Sequence, residues 1–402
     1  MTVHVVGAGL AGLAAAWAAA RAGHRVVIHE AARQAGGRCR GFADAGLGRK
    51  IDNGTHVVLG ANQAALEFFS SVGSPGTSSP AADERLPFLD VASGIRWTVD
   101  VGRGALGAVL SVGGARALAG LLRRPRGTVA ACYGNLGPVY DRFIEPFALA
   151  TLNRPLDEAP AEALLPVLWR LAFAGRGALR PHLARRNIAD DWIDPALSIL
   201  AVLGAEIRLQ DPLSEVEARK RRIISAAFRS GAVTFGEQDA LILALPPWAL
   251  EMMAEAVPLP RYDTQAIVCA HFLLSQPASL PEGAQLMGLT GGRAQWLACR
   301  GEVLSVTVSA AGDLMFWDSE DIAQHLWRDA AAALGNLEGE MPPHRVIKER
   351  RATAHGAAAF GPRSDIGNLF FAGGWTQAPL PDTIEAAVFS GISAASCLSK
   401  SV

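Results

Sequence analysis

The sequence predicts an α/β protein in which a Rossmann-like dinucleotide-binding domain, built from separate chain segments, lies beside a second, α+β domain. Three observations predict this class. A glycine-rich turn separates an apolar run from an alanine-rich run within residues 3–22, and a similar strand–turn–helix pattern returns at residues 368–395. The chain has 402 residues, and half of them are hydrophobic. A chain of this length and composition is sufficient for two cores.

The N-terminal turn has the spacing of a dinucleotide-binding fingerprint. Residues 3–6 are apolar and predict a strand, and the turn then carries Gly7, Gly9 and Gly12 before the predicted helix. Gly7 makes the tight turn, Gly9 lets backbone amides approach a pyrophosphate, and Gly12 lets the helix pack closely on the strand. The diphosphate would then bind at the positive end of the helix.

An acidic residue follows in the order that the fingerprint requires. Gly23 predicts the end of the helix, and residues 25–29 predict a second strand that ends at Glu30. Glu30 is placed to accept hydrogen bonds from an adenosine ribose. The alternative is that Glu30 is only a solvated strand end, but the sequence of strand, turn, helix and acid favours dinucleotide binding.

The segment after Glu30 separates FAD from NAD. Paired glycines, Gly36 and Gly37, again allow backbone to approach phosphate, and Arg38 can bind it as a fork donor. The arrangement resembles the extended fingerprint of the flavin amine oxidase and phytoene desaturase superfamily. This resemblance implies FAD as the cofactor and an amine oxidase-like fold, with Arg33 added to the cofactor-binding candidates.

The C-terminal pattern resembles the second half of the same cofactor site. Residues 368–371 predict a strand, and a small-residue helix is predicted near residues 386–395. In the superfamily the turn between them meets the ribityl chain and the helix N-terminus points at the flavin pyrimidine. The candidates in this half of the site are Gly373, Gly374, Trp375, Thr383 and Ile384. The family often has an acid at the position of Gly374. Taken alone, the helix could equally be an ordinary packing helix.

Two further segments complete the predicted FAD domain. Residues 206–210 with Val216, and residues 240–244, are similar to strands that often cover the adenine in these enzymes. We therefore expect an FAD domain and a substrate domain, with a linker at residues 73–82. The expected bounds are 1–75, 203–250 and 345–402 for the FAD domain, and 76–202 and 251–344 for the substrate domain.

Three short patches are similar to one family within this superfamily. They are a turn that runs from Asp52 through Gly54 and Thr55 to His56, the stretch 146–153, and the stretch 380–387. They look like the hydroxysqualene dehydroxylases, also called squalene-associated FAD-dependent desaturases, of bacterial hopanoid synthesis. The chain departs from many relatives at Ala386, where glycine is common, and at Asn62, where an aromatic residue is common.

The resemblance implies reduction of an apolar C30 isoprenoid alcohol to squalene, with hydride from reduced flavin N5 and loss of water. Because hydroxide is a poor leaving group, an acid should protonate it. The candidates are His56 and Asp52, since the turn that holds them should face the flavin together with Gly54 and Thr55. Alternatively, Asp52 binds amides of its own turn and His56 is a core histidine. Asn153 could face the cavity or cap a helix.

Other functions remain open at this point. A carotenoid-type desaturase or an amine oxidase would share every cofactor motif, and a flavin-bound isoprenoid carrier would need no catalysis. A long apolar tunnel without an aromatic cage for an amine would disfavour the amine oxidase. No motif identifies the electron donor that reduces FAD.

The composition limits where in the cell the protein is expected and which partners it is expected to bind. The net charge of -1 gives no electrostatic case for nucleic acid. Five dispersed cysteines without zinc-site spacing indicate reduced thiols in the cytoplasm and no metal. We expect no signal peptide and no spanning helix. Two stretches, 103–126 and 164–186, mix arginines with apolar residues, and the second also has aromatic residues. They predict peripheral contact with the inner face of the membrane or, alternatively, helices that line a substrate tunnel.

Overall fold

The computed structural model describes residues 1–74, 84–112, 126–251, 261–335, 340–356, 361–377 and 379–398. The helices in these residues are α1 Leu10–Arg21, α2 Gln63–Ser71, α3 Gly104–Val112, α4 Val129–Tyr133, α5 Glu145–Leu152, α6 Ala161–Phe173, α7 Asp194–Val202, α8 Ser319–Leu334 and α9 Ile384–Ser396. The strands in the N-terminal half are β1 Thr2–Val6, β2 Arg25–Glu30, β3 Gly41–Asp44, β4 Arg49–Asp52, β5 Val58–Leu59, β6 Arg85–Asp90, β7 Arg96–Asp100 and β8 Pro181–His182. The remaining strands are β9 Glu206–Leu209, β10 Leu213–Arg219, β11 Arg222–Phe228, β12 Gly231–Thr234, β13 Ala240–Leu243, β14 Asp263–Leu273, β15 Leu286–Thr290, β16 Trp296–Arg300, β17 Val303–Val308, β18 His344–His355 and β19 Leu369–Phe371.

A five-stranded parallel sheet carries the N-terminal motif. Its order is β19-β13-β1-β2-β9, so that Val3 lies between Ala240 and Val26. Both faces of this sheet are covered, which explains why β1 and β13 are almost continuously apolar. Helix α1 packs against α9 on one face, and a Cβ added at Gly391 would lie 2.1 Å from the carbonyl oxygen of Ala11. Glycine is therefore required where these two helices meet.

A three-stranded antiparallel meander, β10-β11-β12, packs on the other face of the parallel sheet. Val216 lies in this meander and is buried in the core cluster that includes Leu243 and Phe371. The prediction that residues 206–210 and 240–244 would form covering strands with Val216 is wrong in its placement. β9 and β13 are members of the parallel sheet itself. β13 is fully buried between the helical layer and the meander, whereas β9 is an edge strand whose Leu209 is exposed.

The second sheet is seven-stranded, with the order β18-β14-β17-β16-β15-β6-β7. Only the β15–β6 pair is parallel among these described strands. β18 pairs with β14 along almost its whole length, so residues 344–355 belong by hydrogen bonding to the second sheet. This differs from the expected start of the last FAD segment at residue 345. The other expected bounds stay predictions, and residues 75–83, most of the expected linker, lie outside the described residues.

Candidate active site

The glycines of the N-terminal turn and the glycine pair at residues 36 and 37 come together at the carboxyl end of β1. Gly7 is left-handed, with φ +102, and a Cβ there would lie 2.5 Å from the carbonyl oxygen of Ala244. At Gly12 a Cβ would lie 1.9 Å from the oxygen of Gly7, which only glycine avoids. Gly9 and Gly36 form a parallel bridge, and a Cβ at Gly37 would lie 3.2 Å from the Cα of Gly9. Two glycine segments thus present bare backbone to the same space.

The N-terminus of α1 opens into this space. Gly9 is the N-cap and provides no side-chain hydrogen bond, and the first turn carries no acid. A helix start without a capping side chain or a carboxylate is suited to a phosphate anion. Glu30 lies at the same end, where its carboxylate accepts from the amides of Ala8 at 2.7 Å and Ala32 at 2.8 Å. The residues present therefore fit the adenosine diphosphate part of FAD.

Arg38 is half-buried and bound by protein groups, whereas Arg33 is exposed. The Arg38 guanidinium donates to the carbonyl oxygen of Ala352 at 2.9 Å and to the carboxylate of Asp382 at 2.5 and 3.3 Å. It also lies 5.6 Å from the ring centroid of Trp248. Its position is thus fixed from the C-terminal part of the chain.

The C-terminal turn contributes a second piece of the site. The Gly373 amide donates to the Ser390 hydroxyl at 2.7 Å, and the Trp375 indole donates to the carbonyl oxygen of Leu245 at 2.9 Å. Thr383 is the N-cap of α9 and accepts from the amide of Ala386 at 3.3 Å. These bonds hold Gly373 and Gly374 beside the start of α9, where Ile384 is the first helical residue.

The turn from Asp52 to His56 holds the two catalytic candidates. Asp52 is buried, its carboxylate accepts from the amide of Ile188 at 2.8 Å, and it pairs with Arg300. Its carboxylate is thus bound outside its own turn, which neither alternative predicted. His56 contacts the carbonyl oxygens of Gly54 at 2.9 Å and Arg38 at 3.1 Å. Burial lowers the pKa of His56, although both carbonyl contacts favour the protonated ring.

A buried cluster beneath this turn was not predicted from the sequence. The ring of His271 contacts the carbonyl oxygen of Asp52 at 2.8 Å through Nε2 and the hydroxyl of Ser305 at 2.8 Å through Nδ1. The Cys269 sulfur lies 3.6 Å from His271 Nε2 and 3.7 Å from the Thr307 hydroxyl. It also accepts a hydrogen bond from the backbone amide of Thr55. His271 and Cys269 thus both bind the turn, His271 at the carbonyl of Asp52 and Cys269 at the amide of Thr55.

The charges of this pair reinforce each other. Burial alone would raise the pKa of Cys269, but the charge of His271 and hydrogen bonds from His271 and Thr307 lower it below its usual value. Burial alone would lower the pKa of His271, and the neighbouring sulfur raises it instead. The charged form of each group therefore stabilises the charged form of the other. Alternation along β14 places both side chains on one face of the strand, a signal that the sequence does contain.

A largely apolar cavity borders both cofactor segments. It is lined by Thr55 of the turn, by Thr383 and Ile384 at the start of α9, and by Thr307 of the second sheet. Most of the remaining wall is apolar: Val57, Leu59, Leu86, Phe88, Val101, Phe143, Phe147, Val167, Leu171, Leu179, Ile267, Leu286, Trp296 and Leu380. Neither His56 nor Asp52 is part of this wall. Asn153 is also absent from it and ends α5 in the left-handed conformation, as a helix C-cap.

The charged side chains in the described wall of this cavity are Arg170 and Glu385, and they neutralise each other. Arg170 of α6 lies 3.3 Å from the carboxylate of Glu385. The same carboxylate accepts from the amides of Ala64 and Ala65 at the start of α2, at 3.3 and 2.9 Å. Glu385 is 5% exposed. Its acceptor positions are thus directed at protein donors.

Comparison with known proteins agrees with this geometry. The family model of flavin containing amine oxidoreductases matches residues 131–399, and that of NAD(P)-binding Rossmann-like domains matches residues 5–72. The hydroxysqualene dehydroxylase of Rhodopseudomonas palustris is 36% identical over 98% of this chain and 97% of its own length. The enzyme of the same name from Sinorhizobium fredii is 34% identical over the same shares.

Solved structures share the fold at low identity. A redesigned triple mutant of putrescine oxidase superposes with a TM-score of 0.75 at 16% identity, over 100% of both chains. An oxidoreductase from Methanosarcina mazei superposes with a TM-score of 0.73 at 14% identity, over 98% of this chain and 99% of its own. At these identities the likeness concerns the fold alone.

These findings confirm three predictions: the α/β fold class with a Rossmann-like domain, the amine oxidase-like architecture, and FAD as the cofactor of an oxidoreductase. The individual site residues stay predictions that the geometry above brings together. The chain belongs to the flavin-containing amine oxidoreductase family and, within it, to the hydroxysqualene dehydroxylases.

Proposed function

We propose that the chain converts hydroxysqualene to squalene by FAD-dependent reductive dehydroxylation, as a step of hopanoid biosynthesis. The observation that carries this proposal is the cavity beside Thr55 and Thr383, whose wall is apolar and whose carboxylate, Glu385, is bound to Arg170 and two backbone amides. A long hydrocarbon gains free energy from such a wall.

The same wall disfavours an amine substrate. An ammonium group buried in an apolar cavity is stabilised most by an uncompensated carboxylate, and the described wall offers only that of Glu385. Glu385 already has three donors, and Arg170 places a positive charge beside it. An incoming cation would therefore be repelled. This argument leaves the dehydroxylase and the carotenoid-type desaturase, and the relatives named hydroxysqualene dehydroxylase favour the first.

The reaction needs one proton and one hydride. The allylic carbon–oxygen bond breaks as the oxygen takes up a proton and leaves as water, and the carbon accepts a hydride, which FAD supplies when it is bound and reduced. We propose His56 as the proton donor, because it directly follows the wall residue Thr55 and its ring contacts two carbonyl oxygens that favour the protonated form. Asp52 is paired with Arg300, and an ionised carboxylate is only an acceptor, so we propose that Asp52 positions the turn. The apolar wall excludes bulk water from the reacting carbon.

The test compares lipid products from the chemically reduced holoprotein under anaerobic conditions. We expect squalene from hydroxysqualene, and no oxidation of putrescine by the oxidised holoprotein. His56→Asn should slow squalene formation while the FAD content stays unchanged, and Asp52→Asn should lower both the rate and the stability. If oxidised protein instead desaturates squalene-like hydrocarbons and reduced protein leaves hydroxysqualene intact, the desaturase interpretation is correct.

We also propose that the chain binds the inner face of the membrane peripherally, through the exposed end of α6. Trp169 is 42% exposed and Phe173 is 77% exposed, and their rings stack at 5.3 Å. Arg170 on the same helix lines the cavity, so this surface lies next to a route for an apolar substrate. No described helix has the length and hydropathy to cross a bilayer.

The arginines near this surface contribute less to lipid binding than their number indicates. Arg103, Arg180 and Arg186 form ion pairs with Asp100, Glu84 and Asp191. Residues 113–125 of the first predicted stretch lie outside the described residues. We therefore propose that insertion of aromatic side chains, rather than charge, dominates the contact.

Co-sedimentation of the holoprotein with phosphatidylcholine vesicles, with and without phosphatidylglycerol, tests this contact. Phe173→Asp should lower the partition coefficient on the order of tenfold, since one aromatic side chain no longer inserts. Phe316→Asp is the matched control, because Phe316 is 86% exposed on another part of the surface. Equal binding of the two variants would contradict the proposed surface.

A further inference from the structure

We propose that Asp382 is a cofactor-binding residue of this chain, and that it supplies from the segment before α9 the carboxylate that the family often has at the position of Gly374. Its ligand would be the hydroxyl groups of the ribityl chain of FAD. The inference concerns cofactor binding and does not depend on which substrate the enzyme reduces.

The first observation is that Asp382 occupies the space of a side chain at residue 374. A Cβ built on Gly374 would lie 2.2 Å from Asp382 Oδ1 and 3.2 Å from both the Cα and the Cγ of Asp382. Two side chains cannot share this space. A carboxylate is thus present where an acid at residue 374 would begin, but it comes from a residue eight positions later in the sequence.

The second observation is that the backbone at Gly374 does not itself require glycine. Gly373 has a φ of +148, whereas Gly374 is outside the left-handed region and begins a short 3₁₀ turn, Gly374–Thr376. An L-amino acid fits this conformation without strain. What excludes a side chain at residue 374 is the carboxylate of Asp382. The glycine and the aspartate therefore depend on each other.

The third observation is that the Asp382 carboxylate is buried and precisely held, yet still has capacity to accept. Its side chain is 3% exposed. Oδ2 accepts from Arg38 at 2.5 Å and from the amide of Ala354 at 2.9 Å, and Oδ1 accepts only a long bond of 3.3 Å from Arg38. A carboxylate oxygen has two lone pairs, so Oδ1 can accept a further hydroxyl. This oxygen is the one nearest to Gly374.

The ion pair with Arg38 gives Asp382 a second role in cofactor binding. Arg38 comes from the N-terminal fingerprint, 344 residues earlier, and its guanidinium is held as a fork by the carboxylate. The same aspartate thus fixes the arginine predicted to bind phosphate and accepts from the polyol between phosphate and flavin. Removing the carboxylate should weaken both parts of the site.

The experiment measures release of FAD from the purified holoprotein on dilution, through the fluorescence of free FAD and without substrate. We expect Asp382→Ala and Asp382→Asn to raise the FAD dissociation constant on the order of ten- to a hundredfold. Gly374→Asp alone should weaken binding to a similar degree, because two carboxylates would overlap. The double variant Gly374→Asp with Asp382→Ala should recover most of the affinity. Asp365→Ala is the matched control, because the side chain of Asp365 is 96% exposed.

The recovery in the double variant separates cofactor binding from general stability. If Asp382→Ala does not fold, Asp382→Asn and the double variant still carry the test. The proposal is overturned if Asp382→Asn releases FAD as slowly as the Asp365→Ala control, or if the double variant binds FAD no better than the weaker single variant. Neither result would affect the proposed reaction, which is measured on the lipid product.

Discussion

Replacing His271 or Cys269 should slow the reaction without removing the cofactor. In the wild-type protein, His271 and Cys269 bind the turn that carries His56 at two backbone groups, the carbonyl of Asp52 and the amide of Thr55. His271→Leu would leave the Asp52 carbonyl without its 2.8 Å donor in a fully buried position, which costs about 1–3 kcal/mol. If the turn shifts by about 1 Å, the turnover rate should fall about a hundredfold.

The assay measures kcat, KM and FAD content for His271→Leu, Cys269→Ser and the control Cys299→Ser. Cys299 lies on β16, which β17 separates from β14, and burial raises the pKa of Cys299 to about 12, so its loss removes no charge. We expect kcat to fall in the first two variants while KM for the apolar substrate changes little, and Cys299→Ser to behave as wild type. The S–H stretching band of Cys269 should disappear at a lower pH than that of an ordinary thiol, because the charge of His271 lowers the pKa of Cys269. Unchanged kcat in both variants would refute the proposed role of the pair.

Three further predictions concern the stability and the FAD content of the FAD-binding part of the chain. Burial lowers the pKa of His4 to about 4, whereas the unfolded chain takes up this proton near pH 6.5. Stability should therefore be lost as the pH falls from 6.5 to 4, by up to about 3 kcal/mol, and urea unfolding of His4→Gln should show a smaller loss. Glu385→Gln should lower the free energy of unfolding by about 1–3 kcal/mol, since a buried carboxylate with two amide donors is lost, while the exposed control Glu217→Gln changes it by less than about 0.5 kcal/mol. Gly12→Ala should yield protein without FAD in its absorbance spectrum, whereas Gly134→Ala, where a Cβ meets nothing within 4 Å, should be isolated with FAD.

The parts of the site that the sequence predicts best are those made by local backbone geometry. Gly7, Gly9 and Gly12 form their turn within a few residues, and the strand before it and the helix after it are recognisable from apolar runs. The pairing of the N-terminal and C-terminal segments was predictable only because both resemble halves of one known cofactor site. Neither segment alone indicates the other.

The parts that were missed depend on contacts between distant segments. Arg170 and Glu385 are 215 residues apart, and nothing near either residue indicates that it is paired. Asp382 fills the space beside Gly374 only because the chain turns back before α9. The place of β18 in the second sheet has the same cause. Its sequence is typical of a strand, but only the register with β14 determines where it pairs.

The central claim is most directly tested by a single turnover of the reduced holoprotein with hydroxysqualene in the absence of oxygen and of any other reductant. Flavin absorbance and extracted lipid are followed in the same sample. We predict that one squalene forms for each flavin that becomes oxidised, and that putrescine added at the same concentration to the oxidised holoprotein leaves the flavin oxidised. Flavin that stays reduced while hydroxysqualene is recovered intact would contradict the account, and the FAD site would then serve another reaction.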